Sequence, residues 1–162
     1  MNKTYMIRAL LITVTLAMMV TVFLFSAQVG NDSASSSSAV VSVIRGIFVP
    51  DFDSLTAAEQ ETVNYNLTVI VRKGAHMTEY ALLAVLALFN CVAWDFPKRY
   101  APKLAVAFSF AVLYAVTDEL HQRFVPGRAG LFTDVLIDSA GAIIGLAVAT
   151  GVIFLIRRKK KE

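Results

Sequence analysis

The chain has 162 residues, 57% of them hydrophobic and 17% charged, with a net charge of +3. A soluble domain of this size would show alternating or amphipathic patterning, whereas here the apolar residues gather in unbroken blocks, which excludes a water-soluble fold. The single cysteine, Cys91, lies inside one of those blocks and excludes both a disulfide framework and a cysteine metal site.

Charge-free runs cover Ala9–Phe25, Ala81–Trp94, Leu104–Thr117 and Ser139–Ile156. A helix needs roughly 20 residues to cross a ~30 Å hydrocarbon core, and each run reaches that length once its flanks are added. The sequence therefore predicts an all-α integral membrane protein, a single domain over 1–162, with four transmembrane helices at about 8–27, 72–96, 103–123 and 133–156. Lys3 and Arg8 precede the first run as they would in a signal peptide. Cleavage after Ala27 would put Phe25 at the −3 position, where a small residue belongs, so a retained anchor is expected.

The first loop, 28–71, opens on GNDSASSSS, a low-complexity polar stretch expected to be flexible. Thr56-x-x-Glu59 then reads as a capping box, and Val63, Leu67 and Ile70 recur at helical spacing. This segment is expected to form a short helix, lying on the membrane surface or packing over the loop ends. The second loop is a tight turn between Pro97 and Pro102. The third, Phe124–Phe132, contains VPGRAG, where proline and glycine end one helix and turn the chain.

Four spans leave both termini on one side. Lys3, Arg8, Lys98, Arg99, Lys103 and the run Arg157–Lys161 put ten of the fifteen cations there, with only Asp95 and Glu162 of the twelve acids. The positive-inside rule then predicts that both termini are cytoplasmic. The high pI is a topology signal and gives no case for nucleic-acid binding.

The outer ends of the spans hold the remaining chemistry. Helical spacing places Arg72, His76, Glu79 and Tyr80 on one stripe, with Lys73 beside them in the headgroup region. On the third span Tyr114, Asp118, His121 and Gln122 share a face, while Glu119 points about 100° away. Asp134 and Asp138 open the fourth span at i and i+4. A carboxylate facing lipid costs about 3 kcal/mol or more, so these groups should face the bundle interior or a wet pocket. Local roles compete at several positions: Glu119 with Arg123 as an i, i+4 pair, Asp134 at a helix N-terminus, and Arg128 snorkelling or pairing with Asp134. Gly141-x-x-x-Gly145 permits close helix packing and reads as structural.

Three chemistries suit the cluster. A hard divalent metal would use Asp118, Glu79 and Asp138 with His76 or His121. A hydrolase would use a histidine as base or nucleophile, with Arg72, Lys73 and Arg128 holding an anion. A binding pocket would hold a cationic or hydrogen-bonding ligand without turning it over.

With SAQ (Ser26 to Gln28), RKGAHMTEYALL (Arg72 to Leu83), TDELHQRFVPGR (Thr117 to Arg128) and TDVLIDSAGAIIG (Thr133 to Gly145) in this order, the chain resembles the VanZ-like family of small bacterial membrane proteins. The resemblance spans most of 20–150 and implies four helices in the bacterial plasma membrane. It also implies an association with resistance to the glycopeptide teicoplanin. Its recurrent polar residues fall on Arg72, Lys73, His76, Glu79, Tyr80, Asp118, Glu119, His121, Gln122, Arg128, Asp134 and Asp138. Of these, His76, Glu79, Asp118 and His121 are the catalytic candidates. Arg72, Lys73, Tyr80, Gln122, Arg128, Asp134 and Asp138 are candidates for binding membrane lipid, a lipoglycopeptide antibiotic or a lipid-linked cell-wall precursor.

Overall fold

The computed structural model describes residues 2–28, 30–128 and 130–159, so Lys160, Lys161 and Glu162, counted in the charge balance above, lie outside the described residues. Five helices follow one another: α1 (Lys3–Ser26), α2 (Gly30–Phe48), α3 (Ala57–Trp94), α4 (Tyr100–Gln122) and α5 (Phe132–Lys159), with a 3-10 turn at Phe52–Ser54 before α3. Among the described residues there is no strand. Helices α1, α3, α4 and α5 are each long and apolar enough to cross a membrane, as the charge-free runs require. The chain is a multi-pass membrane protein.

Two expectations for the first loop change. The serine-rich stretch does not stay irregular: α2 begins at Gly30 and runs on through the apolar residues at 39–48. Serine has middling helix propensity, so a helix nucleated by the Ala39–Phe48 half and packed on α3 can extend back through it. The short helix expected near Val63 is not separate from the second span either. It is the first half of α3, one continuous helix of 38 residues. The capping box forms as expected, with Glu59 N–H 3.5 Å from Thr56 Oγ1 and Thr56 N–H donating to Glu59 Oε2 at 2.9 Å. Nothing between Ala57 and Trp94 breaks the helix, because the one glycine, Gly74, is tolerated mid-helix and no proline intervenes. At 1.5 Å per residue α3 is about 57 Å long, nearly twice the hydrocarbon thickness, so its first half must stand clear of the bilayer. There α2 packs against it, and Arg45 Nη1 donates to Asn64 Oδ1 at 3.0 Å.

The bundle interior is built from small residues. Ala84, Ala87, Ala107, Ala111, Ala142 and Ala149 are buried together with Leu88 and Leu146. Large side chains such as Leu10, Leu113, Val148 and Phe154 point outward. Lipid tails solvate leucine as well as another helix does, so close backbone approach and interhelical hydrogen bonds hold such a bundle. The approach is closest between α3 and α5. A Cβ on Gly141 would collide with the Met77 carbonyl, and one on Gly145 would sit 2.5 Å from the Ala81 carbonyl oxygen. Met77 to Ala81 and Gly141 to Gly145 are equal steps, so the two helices run parallel and in register. Hydrogen bonds join the other helices: Tyr114 OH donates to Met19 O at 2.6 Å, and Asn90 Nδ2 to Thr15 Oγ1 at 2.9 Å.

The N-terminal part of α1 meets the end of α3 and the α3–α4 turn at one end of the bundle. Arg8 donates to Ala93 O at 3.0 Å and lies 4.5 Å over the Trp94 ring. Lys103, only 5% exposed, donates to Asp95 Oδ1 at 2.8 Å, a contact the sequence reading did not foresee. Hydrogen bonds from Lys103, then from Lys98, draw the Asp95 carboxyl down to about 2.

Replacing Gly141 or Gly145 by alanine should lower thermal stability in detergent by about 1–3 kcal/mol, because the obstructing atoms are backbone. Gly151→Ala, with open space around it, is the control and should change nothing measurable. Unchanged melting of both interfacial variants would overturn the parallel contact. The Asp95 carboxyl is depressed in the folded state, so its contribution is full above its usual pKa and lost as pH falls through about 2. Asp95→Ala should therefore melt lower at neutral pH, where Lys103 would lose its counter-charge, and Lys103→Met in that background should restore part of the loss.

Candidate functional site

At the opposite end, α3, α4, α5 and the turn that follows α4 surround a cleft of about 510 Å³. Its upper wall is Tyr65, Thr68 and Val69, from the part of α3 that stands above the hydrocarbon. These three were not among the sequence candidates. Only the continuity of α3 brings them over the cleft, and nothing in their own pattern signals it.

Seven sequence candidates line the cleft: Arg72, Lys73 and His76 from α3, Gln122 at the end of α4, Arg128 in the turn, and Asp134 and Asp138 from α5. Glu119, noted among the polar residues but not placed on the site, lines it too. The parallel α3–α5 register explains much of this. In that register Asp138 aligns with Gly74, two residues before His76, so the glycine contact holds the two side chains within about 3 Å of one another in depth. Lys73 forms an ion pair with Asp134 across the same interface.

Behind the cleft lies a buried network. Ser26 is fully buried and donates to Asp118 Oδ2 at 2.7 Å. Gln122 Nε2 donates to the same oxygen at 3.1 Å and to Ser26 Oγ at 3.3 Å. Asp118 thus acts from behind Gln122 and does not line the wall. Ser26 was visible in the SAQ motif, but a lone hydroxyl at a helix end carries no signal of its partner 92 residues away. Glu79 also sits behind the wall, with its Oε2 3.6 Å from His76 Nδ1, within ion-pair range and longer than a hydrogen bond.

Several local readings are corrected. Glu119 does not pair with Arg123; its Oε2 accepts from the Leu131 N–H at 2.9 Å and so fixes the turn. Gly130 is required beside it, since a Cβ there would strike the Glu119 carbonyl. Arg128 does not pair with Asp134. It donates to the carbonyls of Phe25 at 2.8 Å and Gln28 at 2.9 Å, and its Nη1 is 3.5 Å from Gln122 Oε1. Phe25 O also accepts from the Gln28 N–H at 3.3 Å, and Arg128 adds side-chain donors at this end of α1, capping it from the turn. Burial, and then Arg72, lower the Arg128 pKa, with Asp118, Glu119 and Glu79 opposing; the guanidinium stays charged. Asp134 lies in the first turn of α5, where the helix dipole favours it, but its partner is Lys73.

Besides Asp118 and Glu79, two more candidates do not reach the cleft wall. His121 turns toward α1 and packs on Phe23, with ring centroids 4.8 Å apart. Tyr80 is fully buried against Tyr114, 6.3 Å between centroids. The hard-metal arrangement of Asp118, Glu79 and Asp138 with a histidine does not form, since no three such ligands converge among the described residues. Asp138 is 2% exposed and its Oδ2 has no hydrogen-bond partner in the protein.

The fold and site define a four-span membrane protein with a cleft of acidic and basic side chains at one end of its bundle. Residues 11–156 match the family model of VanZ/LLP1, and the chain belongs to that family. No curated protein and no solved structure matches it.

The Ser26–Asp118 contact predicts that Ser26→Ala and Asp118→Asn each lower stability by about 1–2 kcal/mol. The double variant should lose less than the sum, with a coupling of roughly 1 kcal/mol in a double-mutant cycle. Strict additivity would mean that the hydroxyl does not hold the carboxylate.

Proposed function

We propose that the protein is a plasma-membrane member of its family whose cleft faces outward and binds the polar head of an amphiphilic envelope ligand. The carrying observation is where the cleft lies. It lies roughly 20 residues from the Trp94 end of α3, the length a hydrocarbon crossing takes, with polar groups on one side of that level and the Tyr65–Val69 wall on the other. A head group could enter it while its tail remained in the outer leaflet. The cation excess at the other end of the bundle supports the orientation, with both termini cytoplasmic. Lipoglycopeptides of the teicoplanin type and lipid-linked cell-wall precursors are the ligand classes to try first, given the resistance association of the family resemblance.

Arg72 lines the cleft and forms no ion pair among the described residues, which leaves its guanidinium for the ligand's anionic groups. Purified protein in lipid nanodiscs should bind one of these amphiphiles saturably. Arg72→Gln should weaken that binding by roughly tenfold or more, as expected for a lost charge-assisted hydrogen bond. The reading fails if neither class binds above an empty nanodisc.

One observation favours a second reading, hydrolysis of a lipid-linked phosphate or ester. His76 lines the cleft with Glu79 at 3.6 Å behind it, the order of a base and the group that orients it. Incubation with bacterial lipid extract, with and without divalent metal, would then release a product seen by mass spectrometry. Glu79→Gln would slow its release by at least tenfold, as for a lost general-base orienter. Full recovery of intact lipid in both conditions leaves the binding function alone.

A further inference from the structure

The cleft distributes its charge unevenly, and the imbalance bears on its ligand. Lys73 is committed to Asp134, and Arg128 to the carbonyls of Phe25 and Gln28. Asp138, at the wall, is 2% exposed and its Oδ2 is unpartnered. The other acids of the cleft wall are Glu119 and Asp134, the latter already paired with Lys73. Glu119 and Asp118 already accept hydrogen bonds from the protein. Asp138 alone among the acids of the cleft wall presents a buried oxygen with nothing to accept from.

We infer that the ligand's head carries an ammonium group, which seats on Asp138 at the acid-rich part of the cleft with Glu119 beside it. This deepens the head-group reading above and rests on it. The chemistry selects among head groups. An anion placed there would face the unpartnered Asp138 oxygen, with Glu119 on the same wall. A neutral amide or hydroxyl would offer a hydrogen but no charge to set against the carboxyl. An ammonium brings three donors and the missing charge together. Arg72, one helical turn above His76 on α3, is free to take an anionic group on the same head, so a zwitterion fits better than a simple cation.

A matched pair of single-chain probes tests this on the wild-type protein, which needs no variant to fold. Lysophosphatidylethanolamine and its N-acetyl derivative differ only in the ammonium. Each would be titrated into full-length protein in phosphatidylglycerol nanodiscs and read by native mass spectrometry. The amine should bind about tenfold or more tightly than the acetylated probe, the value of one buried charge-assisted hydrogen bond. Asp138→Asn, which keeps the shape of the side chain, should bring the two probes within about twofold. Glycerophosphoethanolamine, the same head with no tail, is added as competitor. Competition only at far higher concentration assigns the ammonium to a membrane amphiphile, and equal potency assigns it to a soluble molecule; either result supports an ammonium site. Equal binding of the acetylated probe to wild type overturns the inference and leaves the amphiphile reading standing. An amine preference that survives in Asp138→Asn overturns the seat on Asp138. Failure of every lysolipid and every lipoglycopeptide to bind overturns both readings.

Discussion

The closest approach in the molecule, α5 lying on the backbone of α3 at Gly141 and Gly145, sets the geometry of everything at the polar end. Two helices meeting through glycine have almost no freedom to slide, because their ridges are backbone atoms. The parallel register that results carries upward by whole turns. It puts Asp138 about half a turn above His76 and Asp134 within reach of Lys73. A wider interface built on leucine would tolerate a shift of a turn, and in hydrocarbon nothing would resist it, since tails solvate leucine equally well. The small residues therefore position the charged ones.

A second constraint closes the site from the side. Helix α1 touches the rest of the bundle through few polar contacts, and those at its end are made to the same group of residues that forms the cleft. Ser26 holds Asp118, and Arg128 caps the carbonyls of Phe25 and Gln28. The 123–131 turn is fastened in the opposite direction by Glu119 accepting from Leu131. Groups that look functional by residue type are thus divided by use. Asp118, Glu119 and Arg128 spend their hydrogen bonds on the frame, whereas Arg72, His76 and Asp138 keep capacity toward the cleft. Residue type at the sequence level cannot make that division, because it depends on which backbone groups the fold leaves unpaired.

The same physics decides what was legible in advance. Four spans could be read because hydrocarbon forces every crossing helix to be long and free of charge, a requirement that leaves an unmistakable record in composition. The Thr56–Glu59 capping box and the packing role of Gly141 and Gly145 were also readable, since each is a local geometry with a fixed spacing. Helix α2 was not, because its serine-rich half carries no apolar periodicity. The continuity of α3 escaped for a related reason: a polar-to-apolar change along the chain marks where the membrane begins and says nothing about where a helix ends. His121 and Gln122 show the limit at single residues. They were placed on one face by spacing, yet a step of about 100° sends one to Phe23 and the other to the cleft.

Seen through these constraints, the length of α3 has a functional meaning that its membrane span alone would not need. A helix that stopped at the bilayer surface would leave Arg72 and Lys73 at an open rim, where water and salt screen them. Continuing for four more turns, with α2 braced against it through Arg45 and Asn64, raises a wall on one side of the polar groups. Tyr65, Thr68 and Val69 then cover a cleft whose opposite wall is the turn fixed by Arg128. Charges in a partly dry cleft act more strongly on a ligand than the same charges on a surface, because less solvent competes for them. On the proposed ligand-binding reading, the N-terminal half of α3 is therefore part of the site: it turns a ring of charged residues into a recess.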